Sequence, residues 1–253
     1  NKPVGEQNIL AMMNAVRHRG PDGEGMFTNA SKTVGLGHRR LSFLDLSDAG
    51  KQPMCNEDAT LWITYNGEIY NYIELRNTLE KIGHFFHSHT DTEVILHGYE
   101  EWGTGVLHKL KGMFAFGIWN EKKQELFLAR DRFGIKPLYY SLQNGNFVFA
   151  SEIKAIKANS EINTTLDYTS FNDFFVYRYV PSPKTIWNEI KKIPPAHFLL
   201  LKSDGTFQIE KYWSILFSEK IISDKEAIEK FDELLFTSVK THARSDVPVG
   251  SFL

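Results

Sequence analysis

Met113-Phe-Ala-Phe-Gly-Ile-Trp119 and, after a short polar segment, Glu125-Leu-Phe-Leu-Ala-Arg130 form the stretch on which the fold turns. Apolar runs this short, bounded by polar residues and rich in aromatic and branched side chains, read as strands; a helix needs about ten residues or more. The polar segment 120–124 is brief enough to fold the chain straight back, so the two strands are antiparallel neighbours. The same pattern recurs outward in both directions, at Leu61-Trp-Ile-Thr-Tyr65 and over 137–141, 146–150, 197–201 and 207–212. Asn144-Gly145 and Asp204-Gly205 stand where hairpin turns are needed, because these residues tolerate left-handed backbone. Largely antiparallel sheets follow. Asn66-Gly67 bears the same signature directly after the strand at 61–65 and, by itself, reads as another tight turn.

Helices interrupt the strands. Tyr72, Leu75, Leu79 and Ile82 recur at helical spacing, and Gly83 can end that helix. Thr90-Asp-Thr-Glu93 fits a capping box opening a second helix with the stripe Ile95, Tyr99 and Trp102. Pro181, Pro183, Pro194 and Pro195 mark a stiff, extended connection. Beyond it, Ser223-Asp-Lys-Glu226 opens a further helix, with Ile228, Phe231, Leu235 and Val239 on its buried face, and a domain boundary is expected near residue 215. Val247-Pro-Val-Gly-Ser-Phe-Leu253 reads as a strand entering a core, so the chain is read as a piece of a longer protein.

The 253 residues are 42% hydrophobic, 24% charged and 13% aromatic, the balance of a globular chain with a substantial core. A net charge of −2 gives no electrostatic drive toward nucleic acid or anionic lipid. No apolar run approaches the roughly 20 residues that cross a bilayer. One cysteine excludes an intramolecular disulfide and a cysteine zinc finger. The expectation is a soluble protein of a reducing compartment, with no nucleic-acid or membrane partner.

Polar clusters carry the candidate chemistry, each with a plainer explanation. Arg17-His-Arg-Gly-Pro-Asp-Gly23 is either a surface loop closed by a turn or a rigid loop offering cations to an anion. The arginines of Gly37-His-Arg-Arg-Leu-Ser-Phe-Leu-Asp45 suit a strand-edge ion pair, or a two-pronged grip on a carboxylate. Asn66-Gly67-Glu68 is either a turn or a side-chain amide and backbone N–H aimed at an oxyanion. Asp91 either complements a helix dipole or receives a substrate ammonium. His84, His87 and His89 spell His-x-x-His-x-His, but strand alternation would set His84 on the opposite face, so no metal is expected. Cys55 lies among acidic residues that raise a thiol pKa, against a catalytic role.

In order along the chain, several of these stretches resemble the glutamine-dependent asparagine synthetases of the class II glutamine amidotransferases. They are Arg17-His-Arg-Gly-Pro-Asp-Gly23, Arg40-Leu-Ser42, Gln52-Pro-Met54, Asn66-Gly-Glu-Ile-Tyr-Asn71, Thr90-Asp-Thr-Glu-Val-Ile95 and Gly112-Met-Phe-Ala-Phe116. Arg130-Asp-Arg-Phe-Gly-Ile-Lys-Pro-Leu138, Ala150-Ser-Glu-Ile-Lys154 and Tyr179-Val-Pro-Ser-Pro-Lys-Thr-Ile186 continue the likeness.

The resemblance implies an α+β fold: a four-layer αββα N-terminal-nucleophile hydrolase sandwich of antiparallel sheets over residues 1–215, lacking its first strand. Over 222–253 it implies the first helix and strand of an α/β ATP-pyrophosphatase-type synthetase domain, with Leu253 at the edge of an ATP-binding loop. It further implies that Arg40 clamps the glutamine α-carboxylate, that Leu41, Ser42, Phe43 and Leu44 shape the same wall, and that Asp91 holds the α-ammonium. Gly67 and Glu68 border the ammonium, and Asn66 with the Gly67 N–H forms the oxyanion hole. The family's nucleophile is a cysteine at the very N-terminus, and this sequence starts Asn1-Lys-Pro-Val, so the chain as given is expected to bind glutamine at most. The complete protein would be a cytoplasmic ligase that makes asparagine from aspartate with ATP and Mg²⁺, while no cofactor is expected in this piece; a homodimer is compatible with it. Two alternatives stay open: another carboxylate acceptor, or a glutamine-binding module without a nucleophile.

Overall fold

In the computed structural model, residues 3–217, 222–248 and 250 are described. The chain starts with helix α1 (Glu6–Ala15) and the hairpin β1 (Gly23–Thr28) and β2 (Gly35–Arg40), then β3 (Met54–Cys55) and the long β4 (Leu61–Ile69). Helices α2 (Tyr72–Lys81), α3 (Asp91–Trp102) and the short α4 (Val106–Lys109) follow. Next come β5 (Gly112–Asn120), β6 (Glu125–Arg130), β7 (Tyr139–Gln143) and β8 (Asn146–Ala150). After α5 (Ile153–Ala158) and α6 (Tyr168–Tyr177) come β9 (Lys191–Lys192), β10 (His197–Lys202), β11 (Phe207–Lys211) and α7 (Asp224–His242).

Every strand pairing is antiparallel. One sheet runs β11-β10-β6-β5-β4-β3, and two smaller ones are β1-β2 and β8-β7-β9. The decisive stretch explains the layering. Phe114, Phe116 and Ile118 of β5 face a core shared with Ile95, Leu96 and Tyr99 of α3, while Ala115 and Trp119 face a second core with Leu36 and Tyr140 of the smaller sheets. Alternate residues thus go to opposite sides, and both sides are buried, so β5 reads as a continuous apolar run. A third cluster sets Val148 of β8 against Ile156 of α5 and Met12 of α1. The order is helices, large sheet, small sheets, helices.

Four expectations change. Asn66-Gly67 is no turn: β4 continues through it, with Gly67 opposite Phe114. Segment 66–69 keeps pairing because Gly112 and Met113 extend β5 alongside it. Thr90 does cap α3, accepting from Glu93 N, but the Glu93 carboxylate bypasses Thr90 N and takes His87 N and Ser88 N, each at 2.8 Å. Ile228, Phe231, Leu235 and Val239 of α7 are exposed, because among the described residues the helix region is tied down only near its C-terminal end: the His242 ring lies 3.8 Å from Tyr70, and Arg244 pairs with Glu74. Val247 and Pro248 are not in a strand; residue 249 and residues 251–253, including the Leu253 assigned to an ATP loop, lie outside the described residues. The real hairpin turn at Asn144-Gly145 has φ of 52° and 78°, as its sequence requires.

Candidate functional site

A cavity of about 660 Å³ opens between the large sheet and the small ones. Among the described residues β2 pairs only with β1, and β8 only with β7, so there each leaves one edge unpaired. Both strands border the cavity. The result is a strand-shaped slot flanked by two sheet edges.

Arg40, Leu41, Phe43, Leu44, Asn66, Gly67, Glu68 and Asp91 all line this cavity. Ser42 does not. Its backbone N–H is held by Asp22 Oδ2 at 2.8 Å, which turns it toward a separate depression of about 90 Å³.

Asp91 occupies the first helical position of α3 and is buried. Its Oδ2 accepts from Tyr65 Oη at 2.7 Å and Ile69 N at 2.8 Å. Burial nevertheless outweighs these bonds and pushes its pKa up to about 6. No Lys, Arg or His pairs with it among the described residues. A buried carboxylate without a cation is costly unless something positive arrives. Burial, and then Asp91 itself, also raise the pKa of Glu68 nearby.

Gly67 presents its N–H to the cavity side for a reason readable from the ladder. Opposite it, Phe114 sends its N–H to Asp131 Oδ2 at 3.2 Å and its carbonyl accepts from Asp131 N at 2.8 Å, so Phe114 faces away from β4. Gly67 and Phe114 are therefore a non-hydrogen-bonded pair. The flanking residues agree: Tyr65 N donates outward to Gln52 Oε1 at 2.7 Å, and Ile69 N to Asp91. The Gly67 N–H lies between them and points the same way. β3 covers β4 only at Trp62 and Ile63, so this edge is open. Beside it, Asn66 Nδ2 is buried without a hydrogen-bond partner among the described residues. A side-chain donor and a backbone donor, neither committed to the sheet, thus sit on adjacent residues that line the cavity.

Arg40 is placed on the wall, but its fork is partly engaged. Nη1 donates to Ser47 O at 2.9 Å, and Nη2 to the carbonyls of Leu44 and Asp45. It therefore shapes the 41–47 loop as well as facing the cavity. The Arg17–Gly23 cluster finds its anion inside the protein, since Arg19 and His18 both reach Glu152 Oε1, at 3.0 and 3.1 Å. His87 and His89 are exposed, and 82–90 is irregular rather than a strand, so alternation does not govern the histidines. Cys55 sits in β3 away from the cavity, its thiol pKa raised by burial and further by Glu57.

Three cavity residues carry no role in the sequence reading. His38 bonds Tyr65 O through Nε2 at 3.0 Å, leaving Nδ1 buried and unpartnered; burial lowers its pKa to about 4, so the ring is neutral. Its two-residue spacing from Arg40 was the available signal, since β2 alternation puts both on one face. Gln52 bridges Tyr65 N to Thr92 Oγ1. Lys136 is held in place because Asp131 gathers the N–H groups of Phe133, Ile135 and Lys136. The His38 and Gln52 contacts join residues remote in the chain and leave no local pattern.

Against known proteins, residues 1–213 match the family described as "Glutamine amidotransferase domain". Asparagine synthetase [glutamine-hydrolyzing] 1 of Bacillus subtilis is 40% identical over 248 residues, 98% of this chain and 39% of that protein. Asparagine synthetase [glutamine-hydrolyzing] 3 of the same organism is 38% identical over 251 residues, covering 98% and 40%. The chain thus spans about two fifths of the length of these relatives. Among solved structures, the glutamine phosphoribosylpyrophosphate amidotransferase of B. subtilis superposes with a TM-score of 0.62 at 20% identity, over 83% of this chain and 47% of that one. That likeness concerns the fold. Among the described residues no helix is long and apolar enough to cross a membrane.

Proposed function

The chain belongs to the glutamine amidotransferase domain family, and from that premise we propose that it is the glutamine-hydrolysing part of a cytoplasmic asparagine synthetase. One observation carries the reading: the buried, cation-less Asp91 carboxylate shares a cavity with Arg40 and the unpartnered Asn66 amide.

Each group answers one part of glutamine. The Arg40 donors left over from the 41–47 loop receive the α-carboxylate, and Asp91 receives the α-ammonium. Burying either charge unpaired would be costly, so a peptide-bound glutamine, which lacks both, is rejected. The side-chain carbonyl then rests on Asn66 Nδ2 and the Gly67 N–H. As a thiolate adds to that carbon, the C=O π pair moves onto oxygen, and these two donors stabilise the charge where it develops. Collapse expels ammonia with a proton taken from the nucleophile's own amine and leaves a thioester for water to cleave. The nucleophile is the family's N-terminal cysteine, which this sequence does not contain; the slot between β2 and β8 is its natural seat. In the whole protein, ammonia would attack an aspartyl adenylate formed from ATP with Mg²⁺, on residues beyond this chain. The names of the relatives support aspartate as the acceptor.

The test uses the chain extended N-terminally by a strand that starts with cysteine. It should hydrolyse glutamine, and Asn66→Ala should lower kcat about 10²–10³-fold, the cost of one oxyanion donor. An unchanged kcat removes Asn66 from the site. Binding of glutamine without any hydrolysis favours the binding-module alternative.

A further inference from the structure

His84, His97 and Glu100 bring three ligand atoms within 4.8 Å of one another. None of them lines the cavity. We propose that this cluster is a binding site for one Zn²⁺ ion.

The arrangement is built from the helix outward. His97 and Glu100 are three apart on α3 and share a face. His84 reaches them because Gly83, at φ 105°, reverses the chain at the end of α2. The His97 ring is 1% exposed, an uncommon degree of burial for a group this polar. Its Nδ1 lies 3.2 Å from Glu100 Oε2, and His84 Nδ1 lies 3.7 Å from the same oxygen. These separations bracket the roughly 3.3 Å between donors of a tetrahedral zinc with bonds of about 2.0 Å.

Every outer partner is set to aim those atoms. His84 Nε2 faces Glu101 Oε2 at 3.4 Å. His97 Nε2 faces Glu93 and Glu57, each at 3.7 Å, and has no hydrogen-bond partner among the described residues. Each ring turns its Nδ1 toward the Glu100 carboxylate, and a zinc ion bound there would take the place of the protons that these nitrogens offer it. That carboxylate is itself aimed: Asn56 Nδ2 holds its other oxygen at 3.1 Å. Carboxylates behind both ligand histidines are the outer shell that metal sites use to fix tautomer and ring orientation.

The charge points the same way. Glu57, Glu93, Glu100 and Glu101 crowd two imidazoles, and none of the four forms an ion pair with Lys or Arg among the described residues. A divalent cation relieves that repulsion. Two nitrogens and one carboxylate oxygen favour zinc over magnesium or calcium, and the 35% exposed Glu100 leaves room for a water as fourth ligand. Such an ion would pin the 84–89 segment against α3, whose first residue is Asp91.

Zinc titration of the chain against a chromophoric chelator, with Co²⁺ substitution read by its visible absorption, decides the matter. Saturable one-to-one binding, tetrahedral cobalt bands and a rise in Tm with zinc are the expected results. His84→Ala should weaken binding by more than about 100-fold, and Glu101→Gln, behind the ligand, about 10–100-fold. Absence of one-to-one binding, or equal affinity in a folded His84→Ala protein, overturns the proposal. Should circular dichroism show His84→Ala unfolded, undiminished affinity in Glu101→Gln overturns it as well. The pocket that faces glutamine is untouched by either substitution, so this result and the proposed activity stand or fall separately.

Discussion

At Asp91, burial and hydrogen bonding pull in opposite directions, and burial wins: the pKa rises from 3.8 to about 6. For a carboxyl shifted upward, the sign is the reverse of an ordinary ion pair. Its contribution to folding is fully present below about pH 4 and is lost as pH climbs through about 6. A ligand ammonium reverses the preference, because it binds the ionised form. Glutamine affinity should therefore rise about tenfold from pH 5 to pH 7 and flatten above, by calorimetry on the chain. Asp91→Asn should abolish both the affinity and the slope; a slope that survives belongs to another group. Arg40→Lys should cost roughly 1.5–3 kcal/mol in glutamine binding or kcat/KM, since an ammonium cannot grip a carboxylate with two prongs while holding the Leu44 and Asp45 carbonyls. Arg40, Asn66 and Asp91 were legible as residue types suited to an amino acid's charges. His38 was less so, because its orphaned Nδ1 depends on a carbonyl twenty-seven residues away.

Among the elements, β4 shows how context overrules a local signal. Asn66-Gly67 is a strong hairpin dipeptide, yet pairing with β5 on one side keeps it extended and leaves its donors on the other. Gly67 is needed there for space rather than for a turn: a Cβ would lie 2.3 Å from Met113 O and 2.8 Å from Phe114 Cα. Backbone cannot yield to such a contact cheaply, so Gly67→Ala should destabilise by about 1–3 kcal/mol, read as a fall in Tm. Helix α3 was readable from Thr90 and its stripe, as was α2 from its spacing. The exposed aromatic face of α6, with Phe171, Phe174 and Phe175, has no counterpart in the sequence reading. On α7, a correct apolar stripe meets no partner within the described residues.

Across the whole molecule, the gap between the β2 and β8 edges is the feature with the widest consequence. Unpaired edges flanking a cavity leave backbone donors and acceptors unused, and an added strand would satisfy them. The chain extended by a cysteine-led strand should therefore melt higher than the chain as given, by about 2–4 °C for each kcal/mol gained at this size. An unchanged Tm would mean that the slot holds no strand. Sequence alone settled what alternation and turn chemistry control: most strands of the large sheet and the β7–β8 hairpin, their antiparallel pairing, and the capped start of α3. These follow from neighbours along the chain. What only the tertiary structure decided is which groups meet: the outward Gly67 N–H, the diversion of Ser42, the Glu93 carboxylate beyond its cap, and the gathering of His84 with His97. Such meetings join residues remote in the chain through packing, and no local period encodes them.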